Sequence, residues 1–190
     1  MTGVQTCALP IFPRLFSAFK RGDGNILNEI IKIFKEHKIN VVNSMKFTPE
    51  LVFKEKNINK VKITTNDKNS ITKGIKIIKS LSKYDIGQSI VINNGYVLAI
   101  EGPEGTDETI KRSLYLSKKY KLKNKSILVK FPKTKQDLRV DLPTIGIDTV
   151  KNCIKANIKG IAVKRFQNII LDRDKIINLT KKNNFFIISL

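Results

Sequence analysis

An α/β fold is predicted, and three observations predict it. After residue 60 the apolar spacing alternates between a helical and an extended period, so that strand-like runs fall between amphipathic stretches. Two β-branched runs flank Asn94-Gly95, the strongest short-range hairpin signal in the chain. Finally, 190 residues that are 41% hydrophobic can bury a real core, as one domain or as a domain with part of a second.

Residues 1–11, MTGVQTCALPI, do not match the rest of the chain. They contain no charged residue and no Asn, whereas the remainder is saturated with Lys and Asn. The segment is too short and too polar at its start for a secretory signal. It reads as the translation of a sequencing adapter, foreign to the protein, and the natural chain is then expected to continue upstream with an N-terminal part that is missing here.

A short apolar helix is expected over residues 14–19, then a break at Arg21-Gly22-Asp23-Gly24, a turn at a helix start and not an adhesion motif. Over residues 25–38, Leu27, Ile30, Ile31 and Phe34 recur at helical spacing, with Glu29, Lys32, Lys35 and Glu36 opposite. Residues 39–42 read as a buried strand. Residues 12–45 thus look like the last helix and strand of an α/β sheet. Pro49, mixed charge and weak periodicity place a linker at residues 46–60.

The main domain is expected at residues 61–190. It opens with an edge strand at 61–65. Asp67 or Ser70 then caps a helix to about residue 83, with Ile71, Ile75, Ile78 and Leu81 inward and Lys73, Lys76, Lys79 and Lys83 outward. Strands at 89–92 and 96–100 form the hairpin. Gly102, Pro103 and Gly105 make a tight loop, and Thr106 or Asp107 caps a helix to about residue 119. Next come a strand at 126–131, a polar loop over 132–146, a helix over 148–157 and a strand at 161–163. Gln167-Asn168 turns into a strand at 169–171, Asp172 caps a helix to about 182, and residues 185–188 close as a buried strand.

The formal net charge of +20 would attract polyanions. The lysines are nevertheless dispersed and aromatics are few, and no nucleic-acid fold motif accompanies them, so no nucleic-acid partner is expected. Lys, Asn and Ile are abundant together, as an AT-rich coding sequence produces, and a basic face suits an anionic membrane surface. No apolar run approaches the length of a membrane span. Cys7 and Cys153 give neither a metal spacing nor a disulfide framework; Cys153 is expected to pack as a small apolar residue. With His37 alone, a zinc site or a Ser-His-Asp triad is not expected.

Against that basic background, residues 85–110 contain no Lys or Arg, yet hold Asp85, Glu101, Glu104, Asp107 and Glu108, five of 16 carboxylates. A glycine-bearing turn here feeds a helix N-terminus, an anion site by its free N–H groups and dipole. Its own carboxylates would repel a bare phosphate, and a divalent cation such as Mg²⁺ resolves the conflict. A second loop, residues 130–143, combines Lys130, Lys133, Lys135 and Arg139, suited to phosphate oxygens, with Asp137 and Asp141, suited to a metal or a water. Both loops follow strands, where α/β folds place ligands. Taken singly, Thr106, Asp107 and Glu108 are also an ordinary helix start, and Asp137 and Asp141 could be surface partners of Arg139.

These residues carry a family resemblance. Asp85-x-Gly87-Gln88, Ala-Ile-Glu101, Glu104-Gly105-Thr106-Asp107, Leu128-Val129-Lys130 with Lys133, Gln136-Asp137-x-Arg139-Val-Asp141-Leu-Pro143-Thr-Ile-Gly146 and Gly160-Ile-Ala-Val are similar to the LpxI-type UDP-2,3-diacylglucosamine diphosphatases, from about residue 22 to the C-terminus. The resemblance implies a mixed α/β catalytic domain at the C-terminus, preceded by the tail of a truncated Rossmann-like N-terminal domain. It implies hydrolysis of the pyrophosphate of UDP-2,3-diacylglucosamine to UMP and 2,3-diacylglucosamine 1-phosphate in lipid A biosynthesis, by divalent-metal-assisted attack of water. Asp137 is implied as the catalytic residue, activating water or holding Mg²⁺. Glu101, Asp107 and Asp141 are implied as metal or supporting ligands, and Lys130, Lys133 and Arg139 as pyrophosphate clamps. Gln88, Glu104, Gly105, Thr106 and Gln136 complete the implied substrate site. The expected partners are the lipid-linked sugar nucleotide and the inner membrane surface, from a cytoplasmic location, with room for a homodimer. Two other readings stand beside this one: an inactive sugar-nucleotide-binding fragment and a basic nucleic-acid-binding protein.

Overall fold

The computed structural model describes residues 11–20, 23–134 and 136–190. The foreign-segment expectation therefore falls outside the described residues except at Ile11, as do Cys7, Arg21 and Gly22 of the expected turn, and Lys135. The chain forms two compact units, residues 11–47 with Gln136–Asp141, and residues 48–134 with Leu142–Leu190.

In the smaller unit α1 (Ile11–Phe19) and α2 (Asp23–Glu36) pack on each other. Arg14 donates to Glu29 at 2.8 Å and to both carboxylate oxygens of Glu36. That pairing turns Glu29 toward α1. The buried apolar residue of α2 is Ile33, while Phe34 stays 41% exposed. The expected strand at residues 39–42 does not form. Lys38 takes a left-handed φ of 58° and Ile39 N–H returns to Phe34 O at 2.8 Å, a helix C-terminal cap. Beyond it Ile39 and Val42 are exposed, and no described strand pairs with them.

The larger unit is built on a mixed five-stranded sheet of order β2-β1-β3-β5-β7: β1 (Ser89–Asn93), β2 (Tyr96–Ile100), β3 (Ser126–Lys130), β5 (Ile158–Val163) and β7 (Phe186–Ser189). β1 runs antiparallel to β2 and β3, and β3, β5 and β7 are parallel. The β1–β2 hairpin turns at Asn94 and Gly95, with φ of 49° and 83°, the left-handed pair that a two-residue turn of matching twist requires. β4 (Thr144–Ile145) and β6 (Ile169–Ile170) form a separate parallel pair, so the expected polar loop over 132–146 contains a short strand.

Strands buried on both faces read as continuous apolar runs, and side-chain alternation divides them between two cores. Val91, Leu128, Ile161 and Ile187 face α4 (Gly105–Lys119), α5 (Ile147–Lys155) and α6 (Arg173–Lys182), packing with Ile110, Val150, Cys153 and Ile176. Ile90, Ile92, Ile127, Val129, Ala162 and Phe186 face α3 (Thr65–Leu81) through Ile71 and Ile78. The result is a helix-sheet-helix sandwich, as the alternation of elements predicts.

Three local expectations are corrected. Residues 48–60 are no free linker: Phe53 is 1% exposed and its N–H donates to Asn168 O at 2.9 Å. Val52 bridges Ile169 of β6, and Asn57 bridges Ile188 of β7. The segment covers strands that would otherwise present unpaired backbone edges. Residues 61–65 are not a strand, because Thr64 is already the N-cap of α3, in a reciprocal capping box with Asp67. At α4 and α6 the expected side-chain caps are absent: Glu104, at the cap of α4, and Asp172, at that of α6, make no capping bond. Thr106 is engaged elsewhere.

Candidate functional site

β3, β5 and β7 end together at Lys130, Val163 and Ser189. The antiparallel register of β1 sets Ser89 opposite Lys130, and Glu101, just past β2, donates its N–H to Ser89 O at 2.9 Å. The loop after Glu101 enters α4 at Gly105. Sheet register therefore gathers Ser89, Glu101, Thr106 and Lys130 at the carboxyl end of the parallel strands.

The four form one polar network, with Ser89, Glu101 and Lys130 buried and Thr106 half-buried. Lys130 is 6% exposed and Glu101 7%. Lys130 Nζ donates to Thr106 Oγ1 at 2.8 Å, Thr106 donates to Glu101 Oε2 at 3.0 Å, and Ser89 Oγ donates to the same carboxylate oxygen. A hydroxyl has one proton to give and two lone pairs, so Thr106 can serve an anion and a cation at once. Opposite charges that are both withdrawn from water are held this way without leaving either bare.

Around this network lie the other expected residues of the larger unit. Asp107 is exposed on the first turn of α4. Glu104 pairs with Arg112 at 2.6 Å. Its own backbone N–H and then the Arg112 guanidinium hold its carboxyl below the usual carboxylate range. Gln88 accepts from Phe131 N–H at 2.9 Å through its carbonyl. Lys133 Nζ meets Asp85 Oδ1 at 2.6 Å. Gly87, at φ +43°, lets this segment lie against the Glu101 backbone; a Cβ there would stand 2.1 Å from Glu101 O. Cys153 is fully buried, and burial pushes its thiol far up, which leaves it inert.

In the smaller unit, Asp137 Oδ1 accepts from Arg139 N–H and Nε, both at 3.0 Å, and Oδ2 accepts from Nη2 at 2.6 Å. The Arg139 guanidinium holds the Asp137 carboxyl below its ordinary value. Asp141 N–H donates to Asp137 O at 3.0 Å, closing the turn, and Gln136 precedes it half-buried. Arg139 also lines a cleft of ≈ 260 Å³ with Ile31, Lys35, Ile39, Asn40 and Val41.

Among the described residues no group of three or more His, Cys, Asp or Glu side chains forms a metal cage. Mg²⁺ usually takes only one or two protein carboxylates and completes its shell with water and substrate phosphates. The carboxylates and hydroxyls present are hard oxygen donors of the kind it accepts. Sequence reasoning assigned no role to Ser89 or Arg112, and gave Asp85 none beyond its place in the acidic stretch. Asp85 sits inside the motif with Gly87 and Gln88, which was its available signal; Ser89 becomes visible only once the register opposite Lys130 is known.

Fold and site define an α/β sandwich that gathers lysines and carboxylates at the carboxyl ends of its parallel strands, where such folds bind phosphorylated ligands. Residues 54–188 match the LpxI C-terminal domain, and the chain belongs to that family. It is 27% identical over 185 residues to the UDP-2,3-diacylglucosamine pyrophosphatase LpxI of Caulobacter vibrioides. That match covers 96% of this chain and 66% of the relative, so the chain spans just under two thirds of that protein.

Proposed function

We propose that the protein hydrolyses the pyrophosphate bond of UDP-2,3-diacylglucosamine, releasing UMP and 2,3-diacylglucosamine 1-phosphate for lipid A biosynthesis. The observation that carries this reading is the Lys130–Thr106–Glu101 network at the strand ends, together with membership of the LpxI family. A lysine held at fixed distance from a hydroxyl needs little reorganisation to meet developing phosphate charge. Lys133 would supply a further cation for pyrophosphate oxygens on the larger unit, and Arg139 is a candidate for the same role on the smaller one.

Mg²⁺ would be held by one or two carboxylates of a single loop, Glu101 and Asp107 in the larger unit or Asp137 and Asp141 in the smaller, and when bound it would neutralise pyrophosphate charge. Asp137, whose carboxyl Arg139 keeps below its ordinary value, is a weak base. Of its two expected roles, holding Mg²⁺ or activating water, the first suits it better, since activating water by proton abstraction needs a stronger base. The substrate is lipid-linked. The reading therefore includes peripheral contact with the cytoplasmic side of the inner membrane, where the basic surface favours anionic lipid; among the described residues no helix is long and apolar enough to cross a membrane.

The test is UMP release from UDP-2,3-diacylglucosamine by the purified chain with Mg²⁺, and its loss in Asp137→Ala. Release is expected. Binding of the sugar nucleotide without release would replace the enzyme with a binding module, and neither binding nor release would overturn both.

A further inference from the structure

At the opposite end of the sheet lies a second basic site. A cleft of ≈ 340 Å³ opens beside the start of β3, lined by Lys123, Lys125 and Lys159 with the amides of Asn66, Asn94 and Asn124. Lys125 immediately precedes β3 and Lys130 ends it. Five strand residues, about 16 Å, therefore separate this cleft from the Thr106–Lys130 network.

Its walls are held in place. Asn93 Nδ2 donates to Asn124 O at 2.6 Å and to Ser126 Oγ at 3.0 Å, which ties the turn bearing Lys123 and Lys125 to β1. Lys159 projects from β5 and meets Asp67 at 2.5 Å. Asp67 is the single carboxylate of the lining, and that pairing together with the α3 capping box occupies it. Lys123 and Lys125 form no ion pair among the described residues. Three ammonium groups against one engaged carboxylate leave an excess of +2 in a concave space, where like charges repel unless an anion joins them.

We infer that this cleft binds a small, hydroxyl-bearing phosphate monoester, a soluble sugar phosphate. The two uncommitted ammonium groups match the charge of a phosphate dianion. The volume exceeds what phosphate alone fills and lies at the lower end of small-molecule pockets, about 300–1,000 Å³. Amide side chains, which both donate and accept, suit hydroxyls. No aromatic ring lines the cleft and Ile127 is its one apolar residue, so a nucleobase would find nothing to stack on.

The experiment is titration calorimetry of the purified chain with glucose 1-phosphate and with inorganic phosphate. Two doubly substituted chains of equal charge change accompany it: Lys123→Gln/Lys125→Gln in the cleft and Lys181→Gln/Lys182→Gln at the exposed end of α6. Circular dichroism checks that each is folded. Saturable binding, tighter for glucose 1-phosphate than for inorganic phosphate, is expected in the parent chain. It should weaken by about tenfold or more in the first variant and persist in the second. Absence of saturable binding at millimolar ligand overturns the assignment. So does an equal loss in both variants, which would report net charge alone, or an unchanged affinity in the first. Equal affinity for the two ligands would overturn the sugar-phosphate class.

Discussion

Lys130 Nζ lies 2.8 Å from Thr106 Oγ1, although one residue ends β3 and the other stands in the first turn of α4. The contact links the sheet to the first turn of a helix. α4 opens without a side-chain capping bond, and a lost cap costs roughly 0.5–2 kcal/mol. Thr106 gives its proton to Glu101 and a lone pair to Lys130.

Thr106→Val keeps the shape of the side chain and removes the hydroxyl. It should destabilise the fold by about 1–3 kcal/mol, because a buried ammonium and a buried carboxylate each lose a hydrogen bond. Thr106→Ser should recover most of the loss. Urea denaturation of the three proteins checks this, and an unchanged midpoint for Thr106→Val would show that the bridge contributes nothing.

Asp67 predicts a pH dependence. Burial tends to raise its carboxyl, but the Lys159 ammonium and the Thr64 cap outweigh that and bring it below its ordinary value. The folded pKa is therefore lower than the unfolded one. The stabilisation is complete above the unfolded pKa and is lost as pH falls through the folded one. Asp67→Asn should cost about 1–3 kcal/mol at neutral pH. The gap between the two proteins should close in strong acid. A gap that stayed constant down the acid range would show that ionisation of Asp67 is not its source.

Most of the larger unit was legible in sequence because its elements announce themselves locally. Asn94-Gly95 specifies its own turn, and Ile71 and Ile78 repeat at the period of the helix that buries them. What was not legible depends on partners distant in sequence. Phe53 looks like a residue in a linker until β6 is there to pair beside it. The apolar run at 39–42 looks like a strand, but a strand exists only with a neighbour to bond. Of the candidate site, residue types and a family resemblance pointed to two loops and to their lysines and carboxylates, whereas their partners come from the structure. The role of Thr106 could not be read from them, since a helix start and a charge bridge use the same residue and only register against β3 separates them.

Gly87→Ala should be among the more damaging small substitutions. Its φ of +43° disfavours any Cβ, and the added carbon would stand 2.1 Å from Glu101 O, a backbone atom that cannot swing aside. A loss of about 2 kcal/mol or more is expected from strain and displacement together. Hydrogen exchange should show the loss concentrated at the amides of Glu101 and Phe131, which bond to Ser89 O and Gln88 O. Uniform or absent loosening would contradict the close approach.

Asp137 and Arg139 make the sharpest test of the proposed chemistry, because two substitutions separate charge from basicity. Hydrogen bonds from the Arg139 backbone N–H, Nε and Nη2 keep the Asp137 carboxyl depressed. Arg139→Gln leaves the backbone N–H donor and removes the guanidinium, so the carboxyl should titrate closer to its ordinary value, upward from the parent, in a carbon-detected NMR titration. If Asp137 holds a cation or orients water, raising its basicity should not raise the rate, and on the proposed role of Arg139 as a pyrophosphate cation UMP release should fall. If it abstracts a proton, the higher pKa should partly compensate, and the acidic limb of the rate profile should move up with it. Asp137→Ala should lower release by about 100-fold or more in either case. Cation ligation further predicts that Asp137→Asn raises the Mg²⁺ concentration needed for half-maximal rate, whereas loss of a base alone leaves that concentration unchanged and lowers only the rate at saturation.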